Sequence, residues 1–494
     1  MSAVVNLVHP RLGIGYMAVI LATALMMRVY PLSRGLGQDE LYTAVNFVEG
    51  GSIWTTMSSN SAFNNHIGYS IMARLSNKLF GHSERSLRLP ALLLGLASLY
   101  VFWLLGQSIL SFSAATLAAF VLALSPPHII WSVEARGYSG MIFFSLLSSY
   151  LYLRLLRHPN AREACLYIAA SVLGIYVHLY SVFTVCIQVL LFIECWVSKR
   201  TAQLGCVQVT PGSSRLFWRS FIAIASLSLI VYIPVAHSMI ADLIGRGHGN
   251  FNLTFPWSLV QQLSGSEHAI ITVFVSVIAA FGWYYLSSFR PLEARYFSAL
   301  IVLPLLLMWL ARPFDLYPRF FAYWLPYYIL FFVAGLGALW NLGRPDRSRW
   351  LGFLSRGAAA TILLAVLFQW TENRSNYIPQ EGYREASRAI LADTDDTVRF
   401  CAIGGARSVW RYYIHQPITM PASVDELQKL SAMGKEIRCA YYEASWQNGE
   451  QTAIADFLRQ HSRWQKVKDL TVFRYRPAGD IAALSPQYHE LSGR

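Results

Sequence analysis

Residues 88–109 read RLPALLLGLASLYVFWLLGQSI, and Arg88 is the only charged residue in this stretch. A helix rises about 1.5 Å per residue, so a run of this length crosses a hydrocarbon core of roughly 30 Å. Similar runs recur up to residue 371, and the full set is 12–30, 88–109, 113–130, 139–156, 164–180, 181–197, 219–236, 268–288, 296–311, 320–340 and 352–371. The sequence therefore predicts a polytopic α-helical membrane protein with about 11 transmembrane helices.

The composition indicates that most of the chain is surrounded by lipid. Of its 494 residues, 55% are hydrophobic and only 14% are charged, whereas soluble proteins have roughly 25% charged residues. The mean hydropathy is +0.38. These values exclude a disordered chain, a collagen and a disulfide-rich secreted mini-protein.

The distribution of charge divides the chain into two parts. Residues 1–371 contain 24 Lys and Arg against 12 Asp and Glu, while residues 372–494 contain 16 against 15. A basic excess within apolar sequence is typical of cytoplasmic loops and lipid headgroup contacts, and we do not expect a nucleic acid partner. We predict a transmembrane domain over 1–371 and a soluble domain over 372–494.

The positive-inside rule predicts the orientation of the spans. With the N-terminus in the cytoplasm, the inner loops receive most of the basic residues: Arg154, Arg157, Arg162, Lys199, Arg200, Arg215, Arg219, Arg290, Arg295, Arg344, Arg347, Arg349 and Arg356. The long loop 31–87 then faces outward. We expect an inner-membrane protein with its N-terminus inside and its C-terminal domain in the periplasm.

The tail and the first loop have recognisable local patterns. Residues 383–391 and 424–433 predict amphipathic helices, and 398–403, 437–442 and 470–475 predict strands, which together indicate a small α/β domain. Cys401 and Cys439 fall inside these strands, and we expect two free thiols.

Residues 67–80 predict a helix lying on the membrane surface; a short packed loop helix is the alternative.

Acidic residues in two predicted outer loops are the strongest candidates for catalytic residues. Asp39 and Glu40 follow the first span, where a carboxylate could take a proton from a hydroxyl; a solvated helix N-terminus is the alternative. Glu134 and Arg136 lie between the third and fourth spans, where an Arg–Glu pair that caps helices is the alternative. Both loops are expected to face the same outer mouth.

Short motifs in a fixed order resemble glycosyltransferase family 39, in the GT-C class of lipid-linked sugar transferases that includes protein O-mannosyltransferases and the lipid A aminoarabinose transferase. The motifs are DELY at 39–42, HIGYS at 66–70, GHSERSLRLPA at 81–91, LSPPH at 124–128, EARGY at 134–138, YVHLY at 176–180 and YPRF at 317–320. The chain departs from the family pattern at Tyr42, which comes one place early, and at 66–70, where two prolines are missing.

This resemblance implies an enzyme that moves a sugar, with inversion, from a polyprenyl-phosphate carrier to a hydroxyl of a glycolipid or protein acceptor on the outer face. Asp39 would be the catalytic base, with Glu40 and Glu134 orienting or polarising it. Arg319 and Arg88, then Arg136, would bind the donor phosphate, because guanidinium groups bind phosphate bidentately. His66, Tyr69, Tyr138, His178 and Tyr180 would bind substrate, although packing or an aromatic belt explains each of them as well.

We expect no cofactor and no metal, because no D-x-D element stands out in the outer loops and two carboxylates supply few oxygen ligands. A transporter or flippase for a lipid-linked or small solute is the alternative function. Transporters commonly carry charged midplane sites and inverted repeats. The sequence shows no internal repeat, and its acids lie at the predicted outer surface.

Overall fold

A computed structural model describes residues 10–59, 64–197, 210–245, 253–311, 315–342, 349–372, 382–404, 407–432, 436–442 and 449–476. Its helices, in chain order, are α1 Pro10–Leu32, α2 Gln38–Thr43, α3 Ile53–Ser58, α4 Ile67–Phe80, α5 Glu84–Gln107, α6 Phe112–Leu124, α7 Pro126–Trp131, α8 Tyr138–Arg157, α9 Ala161–Val177, α10 Val182–Val197, α11 Pro211–Tyr232, α12 Ala236–Gly245, α13 Phe255–Ser264, α14 Ala269–Ser287, α15 Pro291–Ala311, α16 Leu325–Leu342, α17 Arg349–Glu372, α18 Tyr383–Leu391, α19 Val424–Ala432 and α20 Gly449–His461.

The contacts divide the chain into two compact units. The first contains Met1–Leu32, Met57–Gly81 and Arg88–Ile378, and the second contains Ser33–Thr56, His82–Leu87 and Pro379–Arg494. Two pieces of the loop 31–87 are therefore grouped with the C-terminal residues. The domain boundary at 371/372 stays a prediction from the sequence.

Long apolar helices make up the first unit. Within the described residues, nine segments are long and apolar enough to cross a membrane: Gly13–Leu32, Glu84–Gln107, Tyr138–Arg157, Leu179–Val197, Pro211–Asp242, Ala269–Ser287, Pro291–Ala311, Pro318–Asn341 and Phe353–Thr371. The other two predicted spans coincide with the shorter helices α6 and α9. The predicted fold class is confirmed, while the count of 11 and the orientation stay predictions.

Hydrogen bonds between buried side chains join the helices of the first unit. The Tyr327 hydroxyl lies 2.8 Å from Ser149 Oγ, which lies 2.8 Å from the Tyr296 hydroxyl. Gln188 donates through Nε2 to that same Tyr296 oxygen and accepts from Tyr167 through Oε1. Because lipid offers no hydrogen-bond partner, these contacts between α8, α9, α10, α15 and α16 stabilise the bundle.

Glycine allows two of these helices to approach closely. A Cβ atom on Gly282 of α14 would lie 1.8 Å from the carbonyl oxygen of Phe331, and one on Gly335 of α16 would lie 2.1 Å from the carbonyl oxygen of Ile278. The backbones of α14 and α16 therefore touch directly, as is common for small residues at membrane helix interfaces.

A mixed sheet forms the centre of the second unit. Its strands are β1 Val398–Gly404, β2 Ile418–Thr419, β3 Glu436–Tyr442, β4 Arg463–Val467 and β5 Leu470–Tyr475, in the order β2-β1-β3-β5-β4. β1 runs parallel to β2 and β3, while β5 is antiparallel to β3 and β4. The predicted α/β character of the tail is confirmed; β2, β4 and α20 were not predicted from the sequence.

The two sheet faces are covered differently. One face carries Cys401, Ile403, Ile437 and Cys439, which pack against apolar residues of α19 and α20. Side chains alternate along a strand, so Arg438 points to the other face, where it donates to the carbonyl of Ile390 at the end of α18.

The prediction of two free thiols is wrong. Cys401 and Cys439 lie directly opposite each other in the parallel pairing of β1 and β3, and their sulfur atoms are bonded. Their position in strand interiors had favoured free thiols. The register places the two Cα atoms 4.5 Å apart, which is within the usual range for disulfides.

This bond is testable by mass spectrometry. Thiol labelling of the denatured protein should leave Cys401 and Cys439 unlabelled until a reductant is added. The Cys401→Ser, Cys439→Ser double variant should lose about 2–4 kcal/mol of stability in its C-terminal unit, the usual scale for a lost disulfide. Labelling of both residues without reductant would show that the thiols are free.

Candidate functional site

The candidate site residues fall in both units. Asp39 and Glu40 lie in the second unit, and Glu134, Arg319, Arg88, Arg136, His66, Tyr69, Tyr138, His178 and Tyr180 lie in the first.

Several candidate side chains of the first unit lie at breaks in its helices. α6 ends at Ser125, whose extended backbone (φ −61°, ψ 123°) precedes Pro126, as expected because proline disfavours the helical conformation of the residue before it. α9 ends at His178, which is also extended (φ −155°, ψ 118°) and begins a short 3₁₀ turn over Leu179–Ser181. A 3₁₀ segment over Pro318–Trp324 carries Arg319.

These breaks assemble a buried cluster of rings. The imidazole centres of His66 and His178 lie 4.4 Å apart, and the Tyr138 ring lies 5.3 Å from His66 and 5.4 Å from His178. Tyr180 lies 5.7 Å from His178 and 5.3 Å from Phe320. Four of the five residues predicted to bind substrate therefore meet in one cluster.

Tyr69, the fifth of these residues, is fully buried in α4. Its role in substrate binding stays a prediction.

Two arginines accompany the ring cluster. Arg136 is 3% exposed; it donates to the backbone carbonyl and side-chain oxygen of Asn64, and its guanidinium lies 5.9 Å from the centre of the Tyr138 ring. The guanidinium of Arg319 lies 4.8 Å from the centre of the Tyr317 ring. Burial, and then the positive charges of Arg136 and, more weakly, of Arg319, hold the pKa of His66 well below its usual range. His66 is therefore neutral at pH 7.

Several buried polar atoms of this cluster have no hydrogen-bond partner within the described part of the chain. They are His66 Nδ1, His178 Nε2, the Tyr180 hydroxyl and the Ser181 hydroxyl. His178 Nδ1 accepts from the amide of Tyr180 at 3.3 Å, so a neutral His178 ring carries its proton on Nε2. A buried N–H or O–H that is left unpaired costs about 1–3 kcal/mol, and a ligand with several acceptor oxygens would recover that energy.

Arg88 and Glu134 are placed differently. Arg88 is fully buried and donates through Nη1 to the carbonyl of Leu32 at 3.2 Å, so it joins the end of α1 to α5. The backbone carbonyl of Glu134 accepts from the amide of Arg136 at 2.6 Å, within the non-helical segment 132–137 that connects α7 to α8. The predicted roles of both side chains stay predictions.

In the second unit, Glu40 caps the helix that carries Asp39. Glu40 is buried, and its Oε2 accepts from the amide of Gly37 at 3.0 Å and lies 3.9 Å from Arg34 Nη2. This is one half of a capping box, in which the Glu side chain satisfies a free amide at the helix start; Gly37 has no side chain that could return a bond. The carboxylate of Glu40 therefore orients α2, and with it Asp39.

Glu84, from the motif at 81–91, connects separate segments of the second unit through hydrogen bonds. Its carboxylate accepts from Arg384 at 2.8 Å and from the Tyr413 hydroxyl at 2.6 Å, and Tyr413 also accepts from the amide of Leu36 at 2.8 Å. A cavity of about 380 Å³ lies beside this cluster and is also lined by Glu49, His82, Arg388 and His415. The sequence alone does not reveal this role of Glu84, since its partners are some 300 residues away along the chain.

No metal site is evident in the part of the chain that the structure describes, where no three His, Cys, Asp or Glu side chains are grouped suitably. The expectation that no metal is needed stays a prediction.

Glycine at position 137 is required by the packing of His66. A Cβ atom there would lie 2.5 Å from His66 Nδ1 and 2.6 Å from the carbonyl oxygen of Val177. Gly137→Ala should therefore displace His66 and lower the melting temperature by several degrees, as expected for an overpacked core. Gly337→Ala in α16 is the control, because a Cβ atom there meets nothing within 4 Å. Equal melting temperatures of the two variants would contradict this packing.

Residues 64–218 match the family model described as dolichyl-phosphate-mannose-protein mannosyltransferase. Comparison with curated proteins by sequence gave no match.

Among solved structures, ArnT from Cupriavidus metallidurans matches in the apo state with a TM-score of 0.59 and 14% identity, over 93% of this chain and 98% of ArnT. The same protein bound to undecaprenyl phosphate matches with a TM-score of 0.58 and 14% identity, over 96% of this chain and 99% of ArnT.

The oligosaccharyltransferase AglB from Archaeoglobus fulgidus, in complex with an inhibitory peptide and a dolichol-phosphate, matches with a TM-score of 0.54 and 10% identity, over 86% of this chain and 69% of AglB. The predicted resemblance is confirmed: residues 64–218 match the family model of dolichyl-phosphate-mannose-protein mannosyltransferases, and the chain shares the fold of ArnT and AglB.

Proposed function

We propose that this protein is an inverting membrane glycosyltransferase that moves a sugar from a polyprenyl-phosphate carrier to a hydroxyl of a glycolipid or protein acceptor. The observation that carries the proposal is the buried cluster of the first unit. There, His178 Nε2 and the Tyr180 hydroxyl have no hydrogen-bond partner among the described residues, and Arg136 lies beside the Tyr138 ring. Hydrogen-bond donors and cations of this kind suit a phosphate.

The family match and the fold favour a transferase over the alternative of a transporter. Among the solved structures that share this fold, ArnT is bound to undecaprenyl phosphate and AglB is in complex with a dolichol-phosphate. We infer a carrier of the same chemical class for this chain.

The proposed reaction has one displacement step. The acceptor oxygen forms a bond to the anomeric carbon of the sugar, while the bond from that carbon to the phosphate oxygen breaks. Asp39 takes the proton of the acceptor hydroxyl, and Glu40 orients α2, which carries Asp39. The carrier leaves as a phosphate monoester with an additional negative charge.

The arginines and the ring cluster act on the leaving group. Arg136 and Arg319 stabilise the charge that develops on the phosphate, an effect that is strong in a buried site. Neutral His66, His178 and Tyr180 donate to or orient the phosphate and the sugar. Arg88 remains a further candidate for phosphate binding, Glu134 for orienting the base, and Tyr69 and Tyr138 for contacts with the sugar.

We propose an inner-membrane location with the site and the C-terminal unit on the periplasmic side. The disulfide between Cys401 and Cys439 supports this side for the C-terminal unit, because disulfides persist in oxidising compartments such as the periplasm and are rare in the cytosol. In the first unit, Cys165 and Cys186 are free thiols.

The proposal is tested first on the wild-type protein, purified in detergent and given a polyprenyl-phosphate sugar donor with candidate acceptors. Transfer of the sugar to a glycolipid or a peptide hydroxyl is expected. Failure to transfer from any donor, together with carrier-dependent uptake of solute into vesicles, would favour the transporter instead.

Asp39→Asn should abolish most of this transfer while preserving the fold. The amide keeps the size of the carboxylate but cannot accept the proton, so the rate should fall by roughly 10²–10⁴-fold. Asp396→Asn is the matched control, because Asp396 is an exposed carboxylate of the same unit. Near-normal transfer by a well-folded Asp39→Asn protein would refute the role of Asp39 as base.

Arg319→Lys should raise the KM for the donor even though the positive charge is kept. Lysine keeps the positive charge but loses the planar fork that binds two phosphate oxygens. Arg162→Lys is the control, because Arg162 is an exposed residue at the start of α9. An unchanged donor KM in Arg319→Lys would indicate that Arg319 has a structural role.

A further inference from the structure

A buried arginine in the first predicted span has no part in the reaction proposed above. Arg28 is fully buried in α1. Its Nη1 donates to the carbonyls of Ala24 at 2.8 Å and Ala123 at 3.1 Å, and its Nη2 lies 2.7 Å from His128 Nδ1. In the part of the chain that the structure describes, no carboxylate pairs with Arg28. Ionisable groups inside membrane spans are costly, so a functional reason is expected by default.

The proton positions in this group follow from the chemistry of arginine. A guanidinium only donates hydrogen bonds, so His128 Nδ1 must accept and the neutral ring carries its proton on Nε2. That Nε2 lies 2.9 Å from Ser98 Oγ, and the Ser98 hydroxyl donates to the carbonyl of Gly95 at 2.7 Å. The bonds therefore run in one direction, from Arg28 in α1 through His128 in α7 to Ser98 in α5.

His128 also holds the start of the loop that carries Arg136. The amide and the hydroxyl of Ser132 donate to the carbonyl of His128, at 3.1 and 2.5 Å. Ser132 in turn packs against α5, since a Cβ atom on Gly95 would lie 2.3 Å from Ser132 Oγ. The segment 132–137 is not helical, so its course depends on its anchors at both ends.

We propose that Arg28, His128 and Ser98 form a positioning chain that fixes the rotation of α7 and thereby places the 132–137 segment, with Arg136, in the site. Apolar residues of similar volume would fill this space without the cost of burying a charge. They could not provide directional bonds to two carbonyls and a ring nitrogen. The role of Arg136 in binding the carrier rests on the proposed function, whereas the anchoring of the segment does not.

The anchoring is tested by amide hydrogen exchange of the full-length protein in detergent, without substrate. His128→Ala should increase the exchange of residues 132–137 by about 10-fold or more, the scale of a lost hydrogen bond to a charged group. His128→Asn should stay within about threefold of wild type, because its Oδ1 takes the place of Nδ1 and still accepts from Arg28. Tyr328→Phe is the control, since it breaks a separate hydrogen bond of 2.9 Å to Ser276.

The consequence for the site is tested by titrating undecaprenyl phosphate and by donor kinetics. His128→Ala should weaken binding of this carrier and raise the donor KM by about 10-fold or more, with a smaller change in kcat, and His128→Asn should restore both. The proposal is wrong if His128→Ala leaves the exchange of 132–137 unchanged, if Asn does not rescue, or if Tyr328→Phe has the same effects.

A second pair of variants covers the case in which His128→Ala does not fold. Glutamine places its amide near the position of Nε2 and loses the acceptor at Nδ1, so His128→Gln should be more impaired than His128→Asn in both exchange and carrier binding. Equal behaviour of the two would overturn the proposal. If the wild-type protein transfers no sugar at all, the proposed function fails, while the exchange result still decides whether the chain anchors the segment.

Discussion

Lipid cannot accept or donate a hydrogen bond, and this constraint governs where the chain can depart from a helix. Non-helical backbone at membrane depth is tolerated only where protein or a cavity satisfies its polar groups. At the three breaks, the amides of Ser125, His178 and Phe320 donate to the carbonyls of Leu122, Gly174 and Tyr317, within the same segment of chain. The same breaks present the polar side chains of the candidate site, because a side chain at a helix end can point where a mid-helix position cannot.

Buried polar groups of the first unit are of two kinds. Those around Gln188, Tyr296 and Ser149 have their hydrogen bonds satisfied by one another, and they join helices. Those around His178 and Tyr180 retain donors without a partner among the described residues. Satisfied groups contribute to stability, whereas unsatisfied ones lower it unless a ligand binds. This difference, rather than polarity alone, distinguishes the candidate site from the structural network.

The second unit is assembled from segments distant in sequence. Glu84 accepts from Arg384 and Tyr413, and Arg384 also donates to the carbonyl of Ser33 at 3.0 Å. The loop that carries Asp39 is therefore fixed by side chains of the C-terminal residues. A motif that resembles the family, at 81–91, thus has a structural role in addition to any role in catalysis.

The sequence by itself determined the membrane-spanning helices, the α/β tail and the family resemblance, because hydrophobic length and the order of short motifs are local properties of the chain. It placed α4 at 67–80 and α18 at 383–391, where the structure has them. It could not show that α6 ends at Ser125, that Glu40 caps α2 or that Cys401 bonds to Cys439. His66 contacts His178, and Arg28 contacts His128, although the two residues of each pair are about 100 positions apart along the chain. Such pairs depend on how helices pack and on strand register, and a pattern of spacing along one chain does not contain that information.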